Sequence, residues 1–388
     1  MGRREYLRAV YDRYRRSSPV KKGGILDEFC RVCGYHRKYA IRLLNGPRPA
    51  LASGLRRSRG PSYGPAVIQA LTQVWEAAGY PWSVRLKALL PLWLPWLRQR
   101  RSLSRATERQ LLAISPRQID RRLKLRKSQL RRRLYGRTKP GSLLKHHIPI
   151  KTDHWDVTGP GFTEIDLVSH SGDCVEGEFA HSFNLTDIHT AWTETRAVRG
   201  KGQSGIVTAL EEMRQALPFA LRGIDSDNGS EFLNAHLVRY CQEQSVQFTR
   251  GRPYKKDDNA HIEQKNWTHV RKLIGWDRYD SPTAVDQLND LYRHELPRMM
   301  NWFQPSVKLL RKERVGSRLR RVYDRPQTPL DRLRACPAAD PATVAELLRL
   351  RAATDPFKLA QTIERKLESI YDLASRRDRS DRVASQTA

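Results

Sequence analysis

Apolar positions in the first third of the chain recur every three or four residues, the spacing of helices that bury one face. Leu7, Val10, Tyr11 and Tyr14 form one stripe, and Ile25, Leu26, Phe29 and Val32 a second that stops at Gly34. Tyr39, Ala40, Leu43 and Leu44 form a third, ending at Asn45-Gly46. Two short helices hinged at a glycine predict a helix-turn-helix unit over 1–46, with His36, Arg37, Lys38 and Arg42 on the polar side of its second helix. Residues 47–65, rich in Gly, Pro, Ser and Arg, read as a linker. A second helical unit is predicted over 66–135. Ala66, Val67, Ala70, Leu71, Val74, Trp75 and Ala78 line its first helix, and 82–97 and 104–114 make two more. Ser115-Pro116 then opens a fourth, with serine at the N-cap and proline at the first helical position. Ile119 and Leu123 face inward on it, leaving Arg117, Gln118, Arg121 and Arg122 outside near its N-terminal end, where a recognition helix carries its base-reading residues. The plain alternative is a solvated basic helix.

After a tether over 136–158, the apolar period changes. Strand-like runs fall at 162–168, 178–185, 190–198, 220–224 and 246–249, with helical runs at 205–216, 232–244 and 261–273. Three strands, then helix, strand, helix, strand, helix is the order of a ribonuclease-H-like core, expected here over 159–290. In that layout the first and fourth strands are central neighbours and a late helix docks beside them. Residues 297–388 read as a basic, mainly helical region, with helices over 342–351 and 357–374.

Charge narrows the partners. The 388 residues carry 71 Lys+Arg against 41 Asp+Glu, a formal net charge of +30, which points to nucleic acid before an anionic membrane surface. Basic residues crowd 98–139, where the only acids are Glu108 and Asp120, a density suited to tracking phosphates. No apolar run reaches the length of a membrane span, and the N-terminus lacks the apolar stretch of a secretory signal, so a cytoplasmic location is expected. Five cysteines argue against a disulfide framework. Cys30-Arg31-Val32-Cys33 with His36 lacks the second ligand pair of a structural zinc site and reads as helix packing.

The chemistry concentrates in three short segments. Thr163-Glu164-Ile165-Asp166-Leu167-Val168 is a strand carrying an acid. Asp227-Asn228-Gly229-Ser230-Glu231-Phe232 places another at the mouth of a turn, and Ala260-His261-Ile262-Glu263-Gln264-Lys265-Asn266 opens a helix with a third. Each acid alone has a bland reading: a wet strand face, a turn cap, an exposed helix residue. Asp166, Asp227 and Glu263 in this element order, with 35 residues between the last two, resemble the DDE polynucleotidyl transferases. More closely, the chain resembles bacterial insertion-sequence transposases with a retroviral-integrase-like catalytic core. The match also includes Thr249-Arg250-Gly251-Arg252-Pro253-Tyr254-Lys255-Lys256, and it is close over 150–280. Asp156 and Asp187 compete with Asp166, and Asp225 with Asp227; strand register and the Asn-Gly turn favour Asp166 and Asp227.

The resemblance implies an α+β multidomain fold: N-terminal all-α helix-turn-helix units, a central ribonuclease-H-like α/β catalytic core with a mixed five-stranded sheet, and a helical C-terminal region. It implies that Asp166, Asp227 and Glu263 hold two Mg²⁺ ions (Mn²⁺ substituting) about 3.5–4 Å apart, which clamp the attacking and leaving oxygens of an in-line displacement. Asn228 and Gly229 would support the turn. Arg252, Lys255, Lys256, Lys265 and Asn266, with Arg117, Gln118, Arg121 and Arg122, would contact DNA, whereas Trp267, Val270 and Ile274 at helical spacing, with Trp155, Trp192 and Trp302, read as core. The partners implied are double-stranded DNA, as element ends and target, and a second copy of the chain in a homodimer or higher oligomer, with no membrane and no small-molecule substrate. A ribonuclease-H-fold nuclease or resolvase, or an inactive transposase-derived DNA-binding protein, is the alternative. A tyrosine recombinase would match only His236-Leu237-Val238-Arg239.

Overall fold

The computed structural model describes residues 2–49, 63–134, 157–200, 202–226, 235–250, 262, 265–315 and 318–375. They belong to two compact units, Met1–Ser62 and Tyr63–Ala388. In the first, α1 (Arg3–Arg16), α2 (Pro19–Cys33) and α3 (Arg37–Asn45) pack around Leu7, Val10, Tyr14, Leu26, Phe29, Ala40 and Leu44. Of the predicted stripes, Val32 and Tyr39 instead face solvent, Tyr39 beneath the Arg42 guanidinium. Gly34 closes α2 at a φ of 67°, a left-handed turn that glycine enters without steric cost, and its N–H caps the Cys30 carbonyl.

In the second unit α4 (Pro65–Ala77), α5 (Ser83–Arg100), α6 (Arg105–Ala113) and α7 (Pro116–Leu134) precede the sheet. The Ser104 hydroxyl accepts from the Thr107 N–H at the start of α6, and Ser115 accepts from Gln118 at the start of α7. α5 runs through Pro91 and Pro95. Each removes a helical hydrogen bond, a cost of about 3 kcal/mol in a helix interior, offset by the burial of Leu86, Leu89, Leu90, Trp93, Leu94 and Leu97. The sequence reading set 66–135 apart from the core, but these helices share a continuous apolar core with the sheet and the C-terminal helices. The reason lies in α5: Trp93 stands edge-on to Phe303 and Phe357, and Arg100 pairs with Asp355 at 2.7 Å.

β1 (Phe162–Ser169), β2 (Ala180–Asp187), β3 (Thr193–Arg199), β4 (Gly223–Ser226) and β5 (Gln247–Arg250) form a mixed sheet in the order β3-β2-β1-β4-β5. β1 to β3 pair antiparallel, β4 runs parallel to β1, and β5 to β4. The first and fourth strands are thus central neighbours, as the element order predicted. α8 (Gln203–Ala216) and α9 (Ala235–Glu243) lie in the connections that lead to β4 and β5. Gly161 sets the join. At a φ of 115° its carbonyl accepts from the N–H groups of Arg222 and Gly223, and a Cβ there would collide with the Ala220 carbonyl. Only glycine lets β1 and β4 enter the sheet together.

Beyond the sheet, α10 begins as π-helical turns over Asn266–Arg271 and closes over Lys272–Ile274. α11 (Pro282–Arg293) and α12, which spans Glu295–Arg298 and runs on into π-helical Met299–Phe303, cover the outer strand β3. Asn289 on α11 accepts from the Ala197 N–H and donates to its carbonyl at 2.8 and 2.9 Å; Asn301 on α12 does the same to Thr193 at 3.0 Å each. Two side-chain amides therefore occupy the hydrogen-bonding groups a further strand would use. A hairpin, β6 (Leu309–Val315) and β7 (Arg318–Tyr323), follows, then α13 (Pro329–Ala335), α14 (Pro341–Ala353) and α15 (Pro356–Asp372). The last two helices fall where expected. The hairpin corrects the reading of this region as mainly helical: Arg and Lys at most of its positions erase the two-residue alternation that marks a strand.

Candidate active site

Residues two apart on a strand share a face, so Glu164 and Asp166 project the same way from β1. Strand register extends that face: Asp166 lies opposite Asn184, Asn184 opposite Thr195, Glu164 beside Asp225, and Asp225 beside Thr249. The reverse face carries Ile165, Phe183, Leu185 and Ile224, all fully buried. One side of the sheet is thus built for a core and the other for polar chemistry. The polar side chains are wired together. Thr195 Oγ1 donates to Asn184 Oδ1 at 2.7 Å, Asn184 Nδ2 to Asn266 Oδ1 at 2.5 Å, and Asn266 Nδ2 to Asp166 Oδ2 at 2.5 Å. Asp166 Oδ1 accepts from the Leu167 N–H, and Thr249 donates to Asp225 at 2.7 Å.

Of the three expected acids, Asp166 stands on this face, half-buried; Asp227 and Glu263 lie outside the described residues. So do Asn228, Gly229, Arg252, Lys255, Lys256, Trp155 and Asp156. Their sequence neighbours are informative. Ser226, which precedes Asp227, is buried and in register with Ile165 of β1. The N–H of Ile262, which precedes Glu263, donates to Glu164 Oε2 at 2.8 Å, and Asn266, three residues after Glu263, holds Asp166. Asp187 is committed elsewhere: its carboxylate accepts from the Gly161 N–H and from the N–H and hydroxyl of Thr190, and burial raises its pKa. Glu164 and Asn184 escaped the sequence reading. The spacing of Glu164 from Asp166 was the available signal, since it puts two acids on one strand face.

α10 departs from expectation at two positions. Trp267 is 56% exposed rather than core, while Val270 and Ile274 are buried. The π-helical i→i+5 winding over Asn266–Arg271 adds a residue to the turn, so positions three apart no longer share a face. Lys265 is only 5% exposed, and Asn266 turns inward to Asp166, so neither offers its head group to solvent as a surface DNA contact would. Burial, reinforced by Arg85 and Arg332, pulls the Lys265 ammonium down to a pKa of about 7. On α7, Ile119 and Leu123 are buried as expected. Arg117 and Arg121 are exposed; Gln118 and Arg122 are half-buried, Arg122 lying over the Tyr63 ring. Trp192 and Trp302 are packed in the core.

Glu164, Asp166 and Asp225 present oxygen donors on one face, the donor chemistry of a hard divalent cation such as Mg²⁺. Among the described residues no group of three or more His, Cys, Asp or Glu side chains could hold a metal ion. Among them, too, no helix is long and apolar enough to cross a membrane.

No family model matches the chain. Among solved structures it is similar to the catalytic core domain of BIV integrase, at 12% identity over 37% of this chain and 84% of that one, with a TM-score of 0.28. The HTLV-2 integrase catalytic core in complex with magnesium gives 12% identity, 38% and 90% coverage and a TM-score of 0.29. The simian T-cell lymphotropic virus intasome in complex with PP2A regulatory subunit B56 gamma gives 14%, 53% and 67%, and 0.32. Likenesses at these TM-scores add nothing to the strand order and register above. The sequence comparison is firmer: the uncharacterized protein y4rM of Sinorhizobium fredii is 39% identical over 335 residues, covering 85% of this chain and 94% of that protein. The chain belongs to the same family as y4rM.

Proposed function

We propose that the chain is a DDE transposase: a polynucleotidyl transferase that binds the ends of an insertion sequence, cleaves there, and joins the freed 3′-hydroxyl to target DNA. Asp166, Asp227 and Glu263 would hold two Mg²⁺ ions. One observation supports this above the others: the residues bracketing Glu263 are tied to the acids of β1, Ile262 to Glu164 and Asn266 to Asp166, while β4 ends beside β1 at the residue before Asp227. When bound, the metal would lower the pKa of the attacking hydroxyl and neutralise charge on the scissile phosphate. The protein's own part is positional. Asn266 and Asn184 fix the Asp166 carboxylate, and the Glu164–Ile262 bond pins the start of the late helix to the same strand. In this reading α2 and α3 form a helix-turn-helix, and with α7, through Arg117, Gln118, Arg121 and Arg122, and the loop of Arg252, Lys255 and Lys256 they grip DNA phosphates and bases. Two element ends held in register call for at least a homodimer.

The test is strand transfer from pre-cut duplexes carrying the element's own ends, with and without Mg²⁺, comparing the wild type with Asp166→Asn. Joining that needs the metal and falls at least a hundredfold in the variant is expected. Joining that survives chelation, or full activity in the variant, would remove the reading.

A further inference from the structure

Away from the acid face, α10 turns a second side toward α5 and α13, and cations gather there. Lys265, His269 and Lys272 project to it. Lys265 is buried with no hydrogen-bond or ion-pair partner among the described residues, and the buried His269 Nε2 also lacks one. The charges that bear on Lys265 are Arg85 of α5 and Arg332 of α13. Arg85 also bears on Lys272 and His269, and its own Nε is buried without a partner. Lys272 reaches the Gly79 carbonyl before α5, which shows how tightly α10 docks on this side.

The nearby carboxylates are already engaged. Asp324 holds Arg332 at 2.9 Å, and Asp324 and Asp187 act on Lys308. Among the described residues no acid faces Lys265 or Arg85. A buried charge without a counter-charge is costly, and a cluster of like charges more so. Such a cluster persists when an anion completes it. Half-exposed Arg85 supplies the route from solvent.

We propose that Arg85, Lys265 and Arg332 frame a site for a phosphate group, supplied by the backbone of bound DNA. A phosphate seated there ties α5 to the helix that follows Glu263, so that docking the nucleic acid also steadies the helix beside Asp166. In naming DNA as the source, the inference rests on the proposed function.

The experiment is thermal unfolding of the full chain in sodium phosphate against sodium chloride at matched ionic strength, without metal. The wild type should melt about 2 °C or more higher in phosphate, and Lys265→Met and Arg85→Gln should each lose that gain. Should Lys265→Met not fold, Arg85→Gln decides alone. DNA binding across a salt series supplies the second readout: Arg85→Gln should lower the slope of log affinity against log salt by about 1, the loss of one phosphate contact. Equal melting in the two salts, or a gain the variants keep, overturns the site. A phosphate gain with an unchanged DNA slope overturns DNA as its source. Asp166→Asn separates this from the proposed chemistry, because it should abolish strand transfer and retain the phosphate response.

Discussion

Two aspartates show how environment assigns roles to identical side chains. Asp187 is fully buried, and its oxygens are filled by the Gly161 N–H and by Thr190. Asp166, half-buried, is held by Asn266, which Asn184 holds in turn. Replacing Asp187 by Asn puts an amide N–H against donors. It should cost about 1–3 kcal/mol of stability, read by urea unfolding, with strand transfer per folded molecule near that of the wild type. A hundredfold loss of joining at unchanged stability would instead make Asp187 a chemical residue. Asn266→Ala should do the reverse. Loss of one positioned hydrogen bond, worth about 1 kcal/mol, leaves Asp166 less well oriented. Joining should slow about five- to tenfold with DNA affinity unchanged; an unchanged rate would show that the amide does not position the acid.

At the scale of elements, the edge of the sheet carries a prediction of its own. β3 offers unpaired backbone groups at Thr193 and Ala197 unless Asn301 and Asn289 cover them. Asn289→Ala leaves a buried N–H and C=O without partners and should destabilise the fold by about 1–3 kcal/mol. The double variant with Asn301→Ala should also associate with rising concentration, as an uncovered edge does. Light scattering that finds the double variant no more associated than the wild type would show that α11 and α12 shield the edge by themselves. None of this was legible in the sequence, because each asparagine bonds a strand about a hundred residues earlier and carries no local signal. What was legible had a local cause. The five strands announced themselves by alternation, and their order by the helices between them. Asp166 stood out through the strand residues flanking it, yet its neighbour Glu164 passed as part of the same strand. Trp267 looked like core because a regular helix was assumed where the backbone widens. The union of α4–α7 with the sheet was hidden for a related reason. Periodicity says which face of a helix is buried, and it does not say that Trp93 will meet Phe303 and Phe357.

Across the whole molecule, a net charge of +30 makes the folded chain repel itself and draws it to polyanions. Acid adds a second strain through buried histidines. His170 bonds Ser182, which meets Tyr292, and burial next to Arg271 and His181 depresses its pKa to about 3. His269 is lowered as well. An unfolded histidine binds its proton near pH 6.5, so between 6.5 and about 3 the unfolded chain holds a proton that folded His170 refuses. Its stabilising share is whole above 6.5 and is lost as the pH falls through that window. Buried Glu194 and Asp187 have raised values and pull the opposite way, since folding favours their protonated forms. The net acid limb is therefore a balance, and the histidine is isolated by difference. His170→Gln removes the titration while keeping a polar side chain facing Ser182. Relative to the wild type, its unfolding free energy should improve by about 2 kcal/mol on going from pH 7 to pH 5, from one and a half pH units at about 1.4 kcal/mol each. Urea denaturation at the two pH values measures it. Parallel curves for the two proteins would mean that His170 takes up its proton in the folded state, and that the Ser182–Tyr292 pocket is open to water.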